Sequence, residues 1–473
     1  MKRSILYITS MATLTVLSAC EKDFIDKSPE LEIDEAAIFS SESRLEAAIE
    51  GVYSLLKDSY FMGGYAIVAG DNRTDDMINY GNNGYTFRDC YSHAVNSSSL
   101  ETEYLFPAAY EAINYANTIY EGIETTYADN LPVDDATAEK YKEECRFVRA
   151  ISYYYLSQLY GQPYSYNPSS ECVPLRTTAV TGTGENDCPA ATVSEVLNQI
   201  LEDTEEISYL PEGFSDDDFS STKASQAAAH ALRMRVYMCM EDWSNAVSEG
   251  EMIENEGFSL IESIATMFDS PYALTEENIF SMPMTATDKS GSQTHPAGYF
   301  TADAGTITVV NNINGIATEY GIEGDARTDF LYTDDNGYMY CLKYDEYSTL
   351  LEWIPVFRYG EILLNLAECY YNLGDESTAR DYLKMVRTRS IPEESDPLVT
   401  YTETGDDLWT LIDNERRWEF MAEGIRGYDI SRRAEDYRHP QTTGEWTVVA
   451  TPDNTTTYCW SLPVYETTVN TAL

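Results

Sequence analysis

Pairs of amphipathic segments with helical spacing run through most of this chain of 473 residues. Apolar residues recur every three to four positions in them, and small residues in one segment face bulky aromatic residues in the next. Such faces are buried by stacking helix on helix, as in tetratricopeptide repeats. We therefore predict a mostly α fold, a tetratricopeptide-like α-α superhelix. The predicted helices span 105–126, 138–160, 193–209, 223–240, 243–256, 357–373 and 378–389.

Helix boundary signals support these segments. Thr192 and Glu195 form the pattern of a capping box at the start of the third helix. Asp242 is placed to cap the helix that begins at residue 243, and Gly161 with Pro163 ends the second helix.

Two long stretches, at about 60–104 and 260–355, lack helical periodicity. In the second of them Gly, Thr, Asn and Tyr alternate over 305–310 and 337–341, which predicts loops and short hairpins. Long loops on a rigid scaffold are where recognition usually occurs. We expect these two excursions to form the ligand face of the helical scaffold.

The N-terminus has the pattern of an export signal. Lys2 and Arg3 precede an uncharged run over 5–19, which is shorter than the roughly 20 apolar residues of a spanning helix. The run ends in Leu-Ser-Ala-Cys at Cys20, which resembles the lipobox of a bacterial lipoprotein. We predict a signal peptide over 1–19, lipid attachment at Cys20 and a single domain over 20–473. The alternative is an ordinary signal peptide with an incidental cysteine.

Composition limits the partners. The formal charge is −50, and it becomes −52 once Lys2 and Arg3 are removed with the signal. A field of this sign repels phosphate-rich polymers, so we expect no nucleic acid partner. There is no polybasic patch, so the lipid would be the only membrane contact. The 38 tyrosines, against 15 phenylalanines and 6 tryptophans, suit either wet binding surfaces or a helical-repeat core.

Eight cysteines follow Cys20, and none forms a C-x-x-C motif that would indicate zinc or redox chemistry. Cys145, Cys239 and Cys369 lie within helical patterns and are predicted to be small buried residues. Cys172 and Cys188 flank a loop rich in Pro, Gly and Thr and could form a disulfide. The sequence leaves that pairing open.

Glu415, Glu419 and Glu423 are spaced four apart and share one helical face. Such carboxylates could serve glycoside hydrolysis or bind a metal. The interpretation that we favour is an ion network, because arginine pairs bidentately with carboxylates. We interpret Glu361 and Glu368 in the same way. The other members of the proposed network are Arg416, Arg417, Arg426 and Asp429.

No metal or cofactor is predicted. The histidines at 93, 230, 295 and 439 are scattered without a zinc-binding motif, and no nucleophile elbow or phosphate-binding loop occurs. Acidic clusters at 216–218 and 334–337 could hold calcium through oxygen ligands, but neither fits an EF-hand loop. We favour solvated turns there, and calcium stays an open alternative.

The first excursion contains the densest polar and aromatic cluster. Carboxylates, amides, an arginine and a tyrosine fall within ten residues at 71–80, and further tyrosines surround them. Sugars present an apolar C–H face, which aromatic rings cover, and a hydroxyl rim, which Asp, Asn and Arg can hydrogen-bond. The predicted ligand contacts are Arg73, Asp75, Asp76, Asn79, Tyr80, Tyr65 and Tyr85.

Five segments in order carry a family resemblance. They are CEKDFIDKSP at 20–29 with the helix that follows it, YEAINYAN at 110–117, ECRFVRA at 144–150 with the following LYGQP, RYGEILLNLAE at 358–368, and ERRWEFMAEGIRGYD at 415–429. They are spread over nearly the whole mature chain. The chain resembles the SusD/RagB family of outer-membrane nutrient-binding lipoproteins of the Bacteroidetes.

The resemblance implies an all-helical scaffold, display at the cell surface through the lipid anchor, and partnership with a SusC-type TonB-dependent transporter. It also implies non-catalytic binding of oligosaccharides. Family members contact ligand through the N-terminal excursion and the central one, which adds Tyr299 and Phe300, with Tyr344 as a further position. Trp353 precedes a helix and is predicted to lie in the core.

Two alternative functions stay open. A surface glycoside hydrolase would need two carboxylates facing a cleft about 5–10 Å apart. A peptide-binding or purely structural repeat lipoprotein would use the same scaffold without binding glycan. The sequence does not indicate which glycan would be bound.

Overall fold

The computed structural model describes residues 35–182, 187–217, 220–268, 274–310, 324–396, 400–440 and 445–473. The predicted signal peptide, Cys20 and Asp218 lie outside the described residues. The α-helices of the first half are α1 (Glu35–Ile38), α2 (Glu42–Leu56), α3 (Tyr65–Asn72), α4 (Arg88–Tyr91), α5 (Leu100–Glu121), α6 (Asp135–Tyr160), α7 (Val193–Asp203), α8 (Gln226–Cys239) and α9 (Trp243–Glu254). Those of the second half are α10 (Ala297–Phe300), α11 (Tyr359–Asn372), α12 (Glu376–Ser390), α13 (Gly405–Glu419), α14 (Ile425–Arg432), α15 (Thr455–Tyr458) and α16 (Val464–Val469).

The long helices pack in succession: α2 on α5, α5 on α6, α6 on α7, then α8 on α9, α9 on α11, and α11 on α12. Alanines of α8, including Ala228 and Ala231, are fully buried and let its neighbours approach closely. The mostly α, tetratricopeptide-like prediction is confirmed.

The capping predictions are confirmed. Thr192 Oγ1 accepts the Glu195 N–H at 3.2 Å, and Glu195 Oε2 accepts the Thr192 N–H at 2.8 Å. Asp242 Oδ1 accepts the Asn245 N–H at 3.3 Å. Helix α7, however, ends at Asp203 rather than near 209, and further along the chain the N–H groups of Tyr209 and Leu210 donate to Glu143 Oε2 instead of continuing a helix.

The strands are β1 (Met77–Asn79), β2 (Glu171–Pro174), β3 (Ala190–Thr192), β4 (Asn278–Met282), β5 (Ile307–Val309), β6 (Leu331–Thr333), β7 (Met339–Cys341), β8 (Ile354–Arg358), β9 (Tyr437–Pro440) and β10 (Trp446–Ala450). Within the described residues they form four small sheets. Three have two antiparallel strands each, and the fourth has four strands in the order β1-β5-β7-β6.

The four-stranded sheet joins the two excursions. Strand β1 belongs to the first excursion and pairs antiparallel with β5 of the second, with Ile78 opposite Thr308. Strands β6 and β7 form a local hairpin, so the hairpin predicted around 337–341 is confirmed. The stretch 305–310 instead pairs with a strand about 230 residues earlier and with β7. The first excursion also contains α3, whose residues are all buried, so a purely loop-like description of 60–104 was wrong.

Helices α3 and α14 meet through their backbones. A Cβ added at Gly70 would lie 2.1 Å from the carbonyl oxygen of Gly424, and one added at Gly427 would lie 2.0 Å from the carbonyl oxygen of Gly70. Only glycine allows such an approach. Tyr428 completes the contact by donating its hydroxyl to the Ala66 carbonyl at 2.7 Å. The first excursion is thereby fixed to the C-terminal part of the scaffold.

Gly70→Ala should therefore lower the free energy of unfolding by about 1–3 kcal/mol, because a methyl group forced between two backbones cannot be relieved by a side-chain rotation. Urea unfolding followed by circular dichroism measures this loss. Gly291→Ala is the matched control, because its new Cβ would come no closer than 3.7 Å to Thr294 Oγ1. Equal losses in the two variants would contradict the backbone-contact explanation.

Several core predictions can be compared directly. Cys145, Cys239, Cys369 and Trp353 are buried, as predicted. Cys172 and Cys188 are both free thiols in this structure. Within the described residues, no helix combines the length and apolarity needed to cross a bilayer.

Candidate ligand-binding site

An exposed group of tyrosines lies on the four-stranded sheet. We call Tyr80, Tyr332, Tyr338 and Tyr340 the tyrosine face. Tyr80 follows β1 directly, while Tyr338 and Tyr340 are two residues apart at β7 and so point to the same side of the sheet. Tyr332 of β6 stands opposite Tyr340 in the hairpin. Both excursions therefore contribute to one aromatic surface.

The tyrosine face is open to solvent yet ordered by its own contacts. The exposed fractions are 52% for Tyr80, 47% for Tyr332 and 37% for Tyr338. The rings of Tyr80 and Tyr338 lie 4.6 Å apart at their centroids with their planes inclined by 59°. Partial burial raises the pKa of Tyr80, so its hydroxyl stays a proton donor at neutral pH. Large apolar rings with polar tips are thus presented together.

The turn between β6 and β7 provides polar groups beside these rings. Asp334 Oδ1 accepts the N–H groups of Asn336 at 2.9 Å and Tyr338 at 2.8 Å, and Gly337 adopts a φ of 85° that closes the turn. The Asp334 side chain thus closes the turn between the two strands. No group of acids, histidines or cysteines suited to a metal occurs among the described residues.

Arg73 is not part of this surface. Its side chain is only 2% exposed, its Nη2 donates to the Tyr458 carbonyl at 2.8 Å, and its guanidinium lies 4.2 Å from the centre of the Tyr437 ring. A guanidinium held in this way cannot reach a ligand at the surface. The prediction that Arg73 contacts glycan is therefore not supported by its position, and we assign it a structural role.

Asp75 and Asp76 are committed to ion pairs below the sheet. Arg426 contacts Asp75 through Nε at 2.9 Å and Nη2 at 2.8 Å, and Arg417 contacts Asp76 through Nη2 at 2.5 Å. Burial alone would raise the pKa of Asp75, but Arg426 and Arg417 hold that pKa below its usual range. Both carboxylates anchor the start of β1 to α13 and α14 instead of facing a ligand.

Asn79 shapes the turn that presents the exposed tyrosines. Its Nδ2 donates to Asn72 Oδ1 at 2.8 Å and to the Thr86 carbonyl at 2.7 Å, and its Oδ1 accepts the Gly81 N–H at 2.7 Å. With every polar atom of the side chain used internally, Asn79 acts on Tyr80 and Tyr85 by positioning them.

Most of the remaining predicted ligand contacts are buried, and one is exposed. Tyr65, Tyr299, Phe300 and Tyr344 are buried. The Tyr299 hydroxyl donates to the carbonyl of Gln293, and to that of Tyr85 at 3.3 Å, so it supports the exposed turn from below. Tyr85 is 49% exposed and lies next to Tyr104 rather than on the tyrosine face. Of the predicted contacts, Tyr80 and Tyr85 alone present large exposed side chains.

Tyr332, Tyr338 and Tyr340 were missed as candidate contacts. The sequence did carry a signal for two of them, since alternate residues of a strand share a face and the hairpin itself was predicted. What the sequence lacked was any indication that this hairpin pairs, through β5, with the segment that carries Tyr80.

A buried ion network holds the sheet on the helices. Arg327, just before β6, donates to Glu415 Oε1 at 2.5 Å and Glu419 Oε2 at 3.1 Å. Lys343, just after β7, donates to Glu423 Oε1 at 2.5 Å. The structural interpretation of the three glutamates is thus confirmed, although their partners are these more distant cations.

The same interpretation holds for the acids of α11. Glu361 binds the Arg235 guanidinium through both oxygens at 2.6 and 2.7 Å. Glu368 binds Arg432 through both oxygens at 2.6 Å, with Arg433 beside it. These carboxylates stabilise packing between helices, and both oxygens of each are paired with arginine.

Asp71 lies under the sheet and gives the fold a pH dependence. Its Oδ2 accepts the Gly424 N–H at 2.9 Å, yet burial raises its pKa to about 7. A folded-state pKa above the unfolded value of about 3.9 means that the contribution of Asp71 to stability is fully present below pH 4 and is lost as the pH rises through 7.

Asp71→Asn should therefore gain stability relative to the parent protein between about pH 4.5 and pH 8, because the amide cannot ionise while its oxygen can still accept the Gly424 N–H. Urea unfolding at the two pH values measures the difference. The exposed Asp407→Asn serves as the control and should show no such change. A pH-independent difference for Asp71→Asn would refute the role given to this carboxyl.

The chain thus combines a scaffold of paired helices with an ordered aromatic surface on two joined loop regions. Comparison with known proteins identifies its family. Residues 317–471 match the model of the SusD family, and residues 23–238 match a model described as starch-binding associating with outer membrane. A SusD superfamily crystal structure from Bacteroides fragilis is 37% identical, with a TM-score of 0.85 over 92% of this chain and 99% of that one.

More distant relatives agree. SusD-like protein P2 of Formosa agariphila is 24% identical over 90% of each chain. The structure of a SusD-like carbohydrate binding protein from Bacteroides vulgatus is 20% identical, with a TM-score of 0.74 over 92% of this chain and 98% of that one. This chain belongs to the SusD family.

Proposed function

We propose that this protein is a cell-surface, lipid-anchored glycan-binding protein that captures oligosaccharides on the tyrosine face and passes them to a SusC-like TonB-dependent outer-membrane transporter. The observation that carries the proposal is the convergence of exposed tyrosines from both excursions on one sheet. The family model described as starch-binding, and the Bacteroides vulgatus relative named as carbohydrate binding, support a glycan as the ligand.

The chemistry of the tyrosine face suits an oligosaccharide. The rings of Tyr80 and Tyr338 are inclined to each other rather than coplanar, so they can cover a bent or helical chain better than a flat one. Their hydroxyls, together with the turn at Asp334–Gly337, can hydrogen-bond the sugar rim. Binding without cleavage is favoured because Asp75 and Asp76, the acids among the predicted ligand contacts, are held in ion pairs with Arg426 and Arg417.

The expected affinity fits a role in uptake. Each aromatic contact contributes about 0.5–1.5 kcal/mol, so a few contacts give micromolar to millimolar binding. A receptor that releases ligand quickly can supply a transporter, provided that it stays close to the pore. Lipid attachment at Cys20 would supply that proximity as a high effective concentration.

A glycan array probed with the purified protein tests the proposal. We expect binding to a related set of oligosaccharides, with no sugar released on prolonged incubation. Released products would indicate a surface glycoside hydrolase instead. A blank glycan array together with binding on a peptide array would indicate a peptide-binding protein. Co-purification of a TonB-dependent transporter from outer membranes tests the partner separately.

A further inference from the structure

A cavity lies among the helices, apart from the tyrosine face. It has a volume of about 360 Å³, which falls within the range of small-molecule sites of about 300–1,000 Å³. Its walls come from α6, from the segment around 211–225 and from the start of β4. It shares no lining residue with the tyrosine face.

Two buried polar side chains in this cavity lack hydrogen bonds. Glu144 is 1% exposed, and neither of its carboxylate oxygens makes a well-formed hydrogen bond with a described residue; the Tyr53 hydroxyl and the Lys140 ammonium are its polar neighbours. Ser221 is also buried, and its Oγ has no such partner within the described part of the chain. The nearest cation is Lys140, whose Nζ lies 3.6 Å from Glu144 Oε1. Leaving such groups unsatisfied costs about 1–3 kcal/mol each, and more for a charge.

The charged side chains around the cavity indicate what kind of ligand it could bind. Lys140 and Lys223 line the cavity together with Glu144, Glu212 and Asp217, so a cation and an anion would each meet like charges as well as opposite ones. A neutral molecule with many hydroxyl groups meets neither penalty, because hydroxyls can donate to Glu144 and accept from lysine.

The cavity also has an apolar wall. Phe214 and Phe258 line it, with ring centroids 5.9 Å apart and planes inclined by 72°. Aromatic edges beside a buried carboxylate match the two-sided character of a pyranose ring. We infer that this cavity is a second carbohydrate site, which takes one neutral sugar unit between Glu144, Ser221 and the Phe214–Phe258 pair. The inference is independent of the tyrosine face.

Calorimetric titration with D-glucose, D-galactose, D-mannose and N-acetyl-D-glucosamine tests this site. At least one of the four should bind the purified protein in the millimolar range, and Glu144→Leu should weaken that binding about tenfold or more. Glu144→Leu should still fold, because it replaces a desolvated carboxylate with an apolar group. Ser221→Ala provides a second, milder variant, and its melting temperature and that of Glu144→Leu check the fold.

The outcomes separate this site from the tyrosine face. Binding that survives in Tyr80→Ala/Tyr338→Ala but is lost in Glu144→Leu supports the second site, even if the array shows no oligosaccharide binding. Binding lost only in the tyrosine variant overturns the second site and leaves the proposed function intact. If none of the four sugars binds at about 50 mM, the second site is overturned as well, because its dissociation constant would then lie above the predicted millimolar range. A crystal soaked in the bound sugar should show it against Glu144, and water alone there would also overturn the inference.

Discussion

Arg358→Met is expected to lower the free energy of unfolding by about 3–5 kcal/mol, the largest loss that we predict for a single substitution. Arg358 ends β8 and is 2% exposed. Its Nε donates to Glu423 Oε2 at 2.7 Å, and its Nη1 donates to Glu277 Oε1 at 2.8 Å and Glu419 Oε1 at 2.7 Å. Methionine fills part of the volume but leaves three buried carboxylates facing one another.

Arg358→Lys should lose less stability than Arg358→Met but be less stable than the parent protein, because lysine keeps the charge but cannot form several fixed hydrogen bonds at once. The control is Lys142→Met, which removes the ion pairs of Lys142 with the exposed carboxylates of Glu124 and Glu139 and should cost about 0–1 kcal/mol. Urea unfolding curves of the three variants measure these differences. Similar losses in Arg358→Met and Lys142→Met would contradict the view that the buried network is a main source of stability.

The helical scaffold was predictable because its signals are local. A helix is encoded by residues three and four positions apart and by caps within one turn, such as Thr192 with Glu195. Apart from the missed helix α3, the errors lie at helix ends. Beyond the end of α7, for example, Glu143 accepts the N–H groups of Tyr209 and Leu210, and nothing within 193–209 predicts this contact.

The site was less predictable because its decisive contacts are long-range. The polar residues at 71–80 have the types expected of a sugar-binding rim, and the sequence cannot show which of them already have partners. Arg426 binds Asp75 from 351 residues away, and Tyr458 binds Arg73 from 385 residues away. These contacts fix the polar residues of 71–80 to the scaffold, so they are not available to a ligand. The exposed tyrosines are then the candidate ligand-binding surface.

The tyrosine face, finally, should lose binding when its central pair is removed. Tyr80→Ala/Tyr338→Ala is expected to weaken binding of whichever oligosaccharide the array identifies by about 1–3 kcal/mol, or roughly 5- to 150-fold. Two stacking contacts are deleted together, so no remaining ring of the pair can compensate. Calorimetric titration of the parent protein and the double variant measures the change.

Two controls separate lost contact from lost structure. Tyr166→Ala removes a tyrosine of similar exposure, 49%, from a different surface and should bind as the parent does. The double variant itself should melt close to the parent, because substitution at exposed positions usually changes stability by no more than about 0.5 kcal/mol. Unchanged affinity in a folded Tyr80→Ala/Tyr338→Ala would place the ligand elsewhere, with Tyr85 and its neighbour Tyr104 as the next aromatic surface to test. A loss of affinity without a loss of fold would assign capture to the sheet that unites the two excursions.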